Sequence, residues 1–88
     1  SVWYPQAIFQ EAQINMENSN YAQAIKEYSV LLESKDRDPN QLQPFALLKR
    51  AVAYNNTGQK EAALADYEQV LKRYSTHEVA KSALLGIQ

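Results

Sequence analysis

The chain has 88 residues, 45% hydrophobic and 22% charged, with nine Lys and Arg against ten Asp and Glu and a formal net charge of −1. That length holds one small domain, the apolar share excludes a disordered chain, and the near-neutral balance excludes the basic field that gathers nucleic acid or anionic lipid. There is no cysteine, so disulfides, thiolate metal sites and cysteine nucleophiles are excluded together, and no apolar run approaches the roughly 18 residues that a membrane helix needs.

In chain order, Pro5 to about Asn18 favours a helix, with Pro5 in its first turn and Ile8, Phe9, Ala12, Ile14 and Met16 as apolar positions. Asn18-Ser19-Asn20 breaks it, and Asn20 with Gln23 has the spacing of a helix cap and its reciprocal partner. The second helix, Tyr21 to about Ser34, carries Tyr21, Ala24, Ile25, Tyr28, Leu31 and Leu32 at spacings of three and four, the cleanest amphipathic face in the chain. Ser34 to Asn40, with Lys35, Asp36, Arg37, Asp38 and Pro39, reads as the longest loop. An interior proline breaks a helix, so the third helix starts between Asn40 and Pro44.

From Pro44 to Tyr74 the pattern is two helices folded back on each other. Phe45, Leu47, Leu48, Ala51, Val52 and Tyr54 mark the first, and Ala63, Leu64, Tyr67, Val70, Leu71 and Tyr74 the second. Gly58 between them can take positive φ just past a helix end. Ser75 and Glu78 have capping-box spacing and open a fifth helix with Val79, Ala80, Ala83, Leu84 and Ile87 apolar.

The two halves repeat. Ala24, Ile25, Tyr28 and Leu32 fall on Ala63, Leu64, Tyr67 and Leu71 with a period of 39 residues, the signature of stacked helix pairs that complete one another's core. At these residues the chain resembles the tetratricopeptide repeat family, whose 34-residue unit is an antiparallel helix pair. Ala51, Tyr54, Gly58, Ala63 and Tyr67 stand at its small, aromatic and turn positions. The first unit matches through Ala12, Tyr21, Ala24, Ile25, Tyr28 and Leu32, with Asn15 for an aromatic and Ser19 for the turn glycine. Departures are the longer connection around Ser34 to Asn40, and Ser75 where proline often follows.

The expected fold is all-α: an α-solenoid of antiparallel helix hairpins, about 2.5 tetratricopeptide repeats in five helices. Residues 1–88 form one such domain, with hairpins at 5–36 and 40–74. Residues 75–88 are a capping helix or a truncated third repeat, and their apolar end favours truncation. The chain opens at Ser1-Val2-Trp3-Tyr4 and stops at Leu85-Gly86-Ile87-Gln88 inside an apolar pattern, the pattern expected of a piece of a longer protein.

Catalytic chemistry finds no support. His77-Glu78-Val79-Ala80-Lys81 starts like a zinc-protease helix, but Lys81 stands where the second ligand belongs. A lone histidine in a helix's first turn is solvated or part of a cap. Ser75, His77 and Glu78 do not converge from separate elements as a triad must, and Gly58 and Gly86 cannot make a phosphate loop. No catalytic residue, metal or cofactor is expected. The pairs Lys49-Arg50 and Lys72-Arg73 read as solvated faces, with Glu68 and Lys72 an ordinary surface pair. Tyr21, Tyr28, Tyr54 and Tyr67 read as repeat core rather than a platform for stacking bases.

The resemblance implies an interaction module whose concave wall is lined by the first helix of each pair, here Phe9, Gln13, Met16, Leu48, Val52 and Asn55. The expected partner is a peptide or helix of another protein, with neither nucleic acid nor membrane insertion. The family's clamp for C-terminal carboxylates needs Lys and Asn where Phe9 and Gln13 stand, so that clamp is not expected. The alternative is a structural segment of a longer solenoid, or a self-association module dimerising through the exposed ends at Trp3-Tyr4 and Leu84 to Ile87. The run from Leu71 to Leu84 is similar to unit ends of bacterial cell-envelope repeat proteins, with Ser75 replacing a proline. It leans the expected location toward the bacterial periplasm, with the cytoplasm as the alternative.

Overall fold

The computed structural model describes residues 3–34 and 37–88; the opening Ser1-Val2 and Lys35-Asp36 of the expected loop lie outside the described residues. Five helices follow in order: α1 (Pro5–Glu17), α2 (Tyr21–Glu33), α3 (Gln43–Asn56), α4 (Lys60–Arg73) and α5 (Val79–Ile87). Among the described residues there is no strand. The fold is the all-α helical-repeat solenoid that the pattern predicts, a flat stack measuring 40 × 29 × 17 Å.

Both hairpins turn by the same device. Gly58 takes φ 78°, while Gly58 N–H donates to Asn55 O at 3.2 Å and Gln59 N–H to Tyr54 O at 2.9 Å. That paired closure satisfies the last carbonyls of α3. At the end of α1, Ser19 N–H donates to Met16 O at 3.1 Å and Asn20 N–H to Asn15 O at 2.7 Å, and Ser19 takes φ 59°. Ser19 therefore does the work of the missing glycine in a backbone region that costs an L-residue about 1–2 kcal/mol.

The two sequence-predicted capping boxes do not form. Asn20 precedes α2 without a side-chain cap, because its amide donates to Asn15 Oδ1 at 3.3 Å while Gln23 Nε2 donates to Glu27 Oε2 at 3.5 Å. The side chains find each other in place of the orphan backbone donors. At α5, Ser75 and Glu78 make no capping bond; the helix begins at Val79, whose N–H donates to His77 Nδ1 at 3.2 Å. His77, the residue before the N-cap Glu78, supplies that acceptor and is half-buried with its ring edge-on to Phe45 at 5.1 Å and to Tyr74 at 6.5 Å.

The longest connection is tied at both ends. Asp38 Oδ1 accepts from Leu42 N–H at 2.7 Å and Oδ2 from Gln43 N–H at 2.9 Å, covering the first donors of α3 where Pro44 has none to offer. The buried Gln43 amide donates to Leu31 O and Ser34 O, both at 3.0 Å, closing the end of α2.

Two apolar clusters follow one another along the stack. The first holds Phe9, Ala12, Ala24, Tyr28, Leu31, Leu42 and Ala46, and the second Leu47, Ala51, Ala63, Tyr67, Val70, Val79 and Ala83. Leu32 and Phe45 pack against both. Helix α3 is thus buried on two sides, through Ala46 in the first cluster and Leu47 and Ala51 in the second. Of the apolar positions expected in α1 to α4, Ile14 at 55% and Leu64 at 44% are exposed, and in α5 Leu84 and Ile87 are exposed as well. Ile14 faces away from α2, and Leu64 lies on the α5 side of α4, beyond the second cluster. Tyr28 and Tyr67 are buried as expected, whereas Tyr21 and Tyr54 are only half-buried.

Candidate functional site

The candidate wall comes from α1 and α3, the first helices of the two hairpins. Phe9, Gln13 and Met16 repeat at four and three residues along α1, and Leu48, Val52 and Asn55 do the same along α3, so each trio shares one helix face. Their exposures differ. Phe9 keeps only 8% of its surface and meets the Tyr28 ring edge-on at 5.8 Å, which makes it part of the first cluster. Gln13, Met16, Leu48 and Val52 are half-buried, with Met16 against the first cluster and Leu48 and Val52 against the second. Asn55 is exposed and shares a groove of about 320 Å³ with Lys60, Leu64, Tyr67, Gly86 and Ile87.

That groove exists because α5 lies close on α4. A Cβ at Gly86 would run into the Tyr67 ring, so the bare backbone is what lets the helix settle there. Burial of Tyr67 pushes its hydroxyl above the ordinary range. Tyr28 is buried more completely; its hydroxyl has no hydrogen-bond partner, and burial, then the charge of Glu27, pushes it up to about 12.

Sequence reasoning missed the polar lock beneath the wall. Arg50, expected in a solvated pair with Lys49, is instead part-buried: Nε and Nη2 donate to Asp66, Nη1 donates to Ser29 Oγ at 3.0 Å, and the Tyr54 ring lies 5.7 Å away. One guanidinium joins α2, α3 and α4. The bond to Asp66 holds it charged above its ordinary range against the opposing effect of burial. The signal was available, since Arg50 and Asp66 each stand eight residues from Gly58 and a hairpin brings such positions level. It is the one ion pair among the described residues, and Glu68 and Lys72 do not close to ion-pair distance.

Among the described residues no group of three His, Cys, Asp or Glu could hold a metal ion, and no helix is long and apolar enough to cross a membrane. The family described as tetratricopeptide repeat matches residues 45–77, which runs from the start of α3 to His77, just before the N-cap of α5. No curated protein and no solved structure matches the chain.

Proposed function

We propose that this chain, whose residues 45–77 match the tetratricopeptide repeat family, is an interaction scaffold holding an extended or helical segment of a partner on its concave face, as repeats of that family are non-enzymatic scaffolds that generally mediate contacts between proteins. One observation carries the reading: Met16, Leu48 and Val52, large apolar side chains on the wall of first helices, stay half-buried beside the amides of Gln13 and Asn55. Apolar anchors with a few fixed polar groups are what a peptide groove requires. Phe9 supports this wall from beneath. The scaffold has no chemistry of its own, and its near-neutral charge offers nucleic acid no electrostatic hold.

The test is selection from a random peptide library displayed on phage against the full chain, followed by titration of the enriched peptides. Leu48→Asp and Val52→Asp, each checked for unchanged helicity, are expected to weaken those peptides at least tenfold. Enriched peptides that bind both variants as tightly as the parent would sink the concave-face reading. A second reading, self-association, has its own observation: the large apolar residues left exposed at the two ends of the stack.

A further inference from the structure

The two ends of the stack are unlike each other and complementary. At one end α1 packs on α2 and turns Tyr4, Ala7, Glu11 and Ile14 outward; these positions share a stripe opposite buried Phe9 and Ala12. Tyr4 is 62% exposed and Ile14 55%, so the stripe is apolar with a single acidic group near its middle. At the other end α5 packs on α4 and α3 through Val79, Ala83 and Gly86, and leaves Leu84, Leu85 and Ile87 53%, 72% and 40% exposed. Lys81 is the single charged residue of α5, and Lys60 is the single charged lining residue of the adjoining groove. Each end alone is an apolar patch of the kind that soluble surfaces rarely leave bare. Glu11 within one surface and Lys81 one turn before Leu84 at the edge of the other carry opposite charge, which favours this pairing over either end meeting its own copy.

We infer that copies of this chain join head to tail, the outer stripe of α1 (Tyr4, Ala7, Glu11, Ile14) on one copy covering Leu84 and Ile87 of α5 on the next, with Glu11 beside Lys81. Different surfaces meet, so the contact is heterologous and each added copy presents a fresh end. Of the concave row only Asn55 adjoins these surfaces, through the groove it shares with Ile87, so peptide binding is read separately at Leu48 and Val52.

Two end-blocked variants of the full chain decide it. Both Ile14→Glu and Leu84→Glu alter exposed side chains, and unchanged helicity confirms that each folds. By sedimentation across a hundredfold dilution, the parent is expected to grow in mass with concentration beyond a dimer, and each variant alone to remain a monomer. Mixed one to one, they are expected to form a dimer and nothing larger, because one supplies the open α5 end and the other the open α1 end. Glu11→Lys is expected to weaken association at least tenfold, and Lys81→Glu in the second copy to restore it. A parent that stays monomeric overturns the inference. So does an Ile14→Glu variant that still dimerises, which is the mark of a symmetric α5 pair, or a mixture that stays monomeric.

Discussion

The Arg50 guanidinium meets the Asp66 carboxylate on two atoms at once, Nε to Oδ2 at 2.7 Å and Nη2 to Oδ1 at 2.8 Å, with side chains 21% and 8% exposed. Such a fork is stronger than a single contact and fixes the rotation of one helix on the other. Removing one member leaves a charge in the protein without its partner. Asp66→Ala is expected to cost about 2–3 kcal/mol, below the fully buried case because Arg50 retains some solvent. Arg50→Met with Asp66→Leu should return to within about 1 kcal/mol of the parent, since packed apolar groups replace buried pairs at little net cost. Urea unfolding of the single and double variants measures both.

Tyr28 offers a prediction with two signs. Its hydroxyl is buried without a partner, and such a group is a liability of about 1–3 kcal/mol. Tyr28→Phe should therefore be neutral or stabilising by up to about 1 kcal/mol, in contrast to the usual loss from a core substitution. The same burial raises the folded hydroxyl from 10.0 to about 12. Above pH 10 the unfolded chain has released a proton that the folded chain still holds, so stability falls as pH rises from about 10 to 12, by on the order of 2 kcal/mol. Tyr67 adds a loss of the same sign. Tyr28→Phe should flatten most of that alkaline decline in denaturant titrations at pH 9 and pH 11.5.

The paired turns give a test with opposite outcomes at equivalent positions. Ser19 stands at φ 59° and Gly58 at φ 78°. Ser19→Gly relieves a left-handed L-residue while freeing the unfolded chain, for a net gain of about 0.5 kcal/mol. Gly58→Ala, with nothing near its Cβ, meets only the backbone penalty and should lose about 1 kcal/mol. Thermal unfolding that shifts both variants the same way refutes the common turn.

Much of this architecture is legible in the chain, and the reason is periodicity. The face from Tyr21 to Leu32 and the hairpin about Gly58 follow from spacing alone, because burial on one side of a helix leaves a regular trace. The caps are not legible in the same way. Asn20, Gln23, Ser75 and Glu78 have the right types and spacing, yet Asn15, Glu27 and His77 supply competing partners. For the wall, the pattern gives the face but not the depth: Phe9 and Met16 share a stripe, and packing into the first cluster, with its ring edge-on to Tyr28, sinks Phe9 to 8% exposure. Ile14 and Leu64 look like core residues because the pattern says nothing of where the stack stops.

Gly86 joins sequence to the far end of the stack. Glycine inside a helix costs about 1 kcal/mol relative to alanine, so on propensity alone Gly86→Ala should help. The Tyr67 ring occupies the space that methyl needs, and the expected result is instead a loss of about 1–3 kcal/mol. Hydrogen exchange should find the weakened protection concentrated in Val79–Ile87, with α1 and α2 unchanged.

The ties at Asp38 and Gln43 have a consequence for how such arrays evolve. Gln43 holds the carbonyl of Ser34 and Asp38 holds the amides of Leu42 and Gln43, so two side chains, together with the packing of Leu32 and Phe45 against both clusters, tie one hairpin to the next at the two ends of the connection. A segment anchored in this way is where insertions can accumulate, and a tag or a second binding loop spliced between Ser34 and Asp38 should leave the stack's geometry intact.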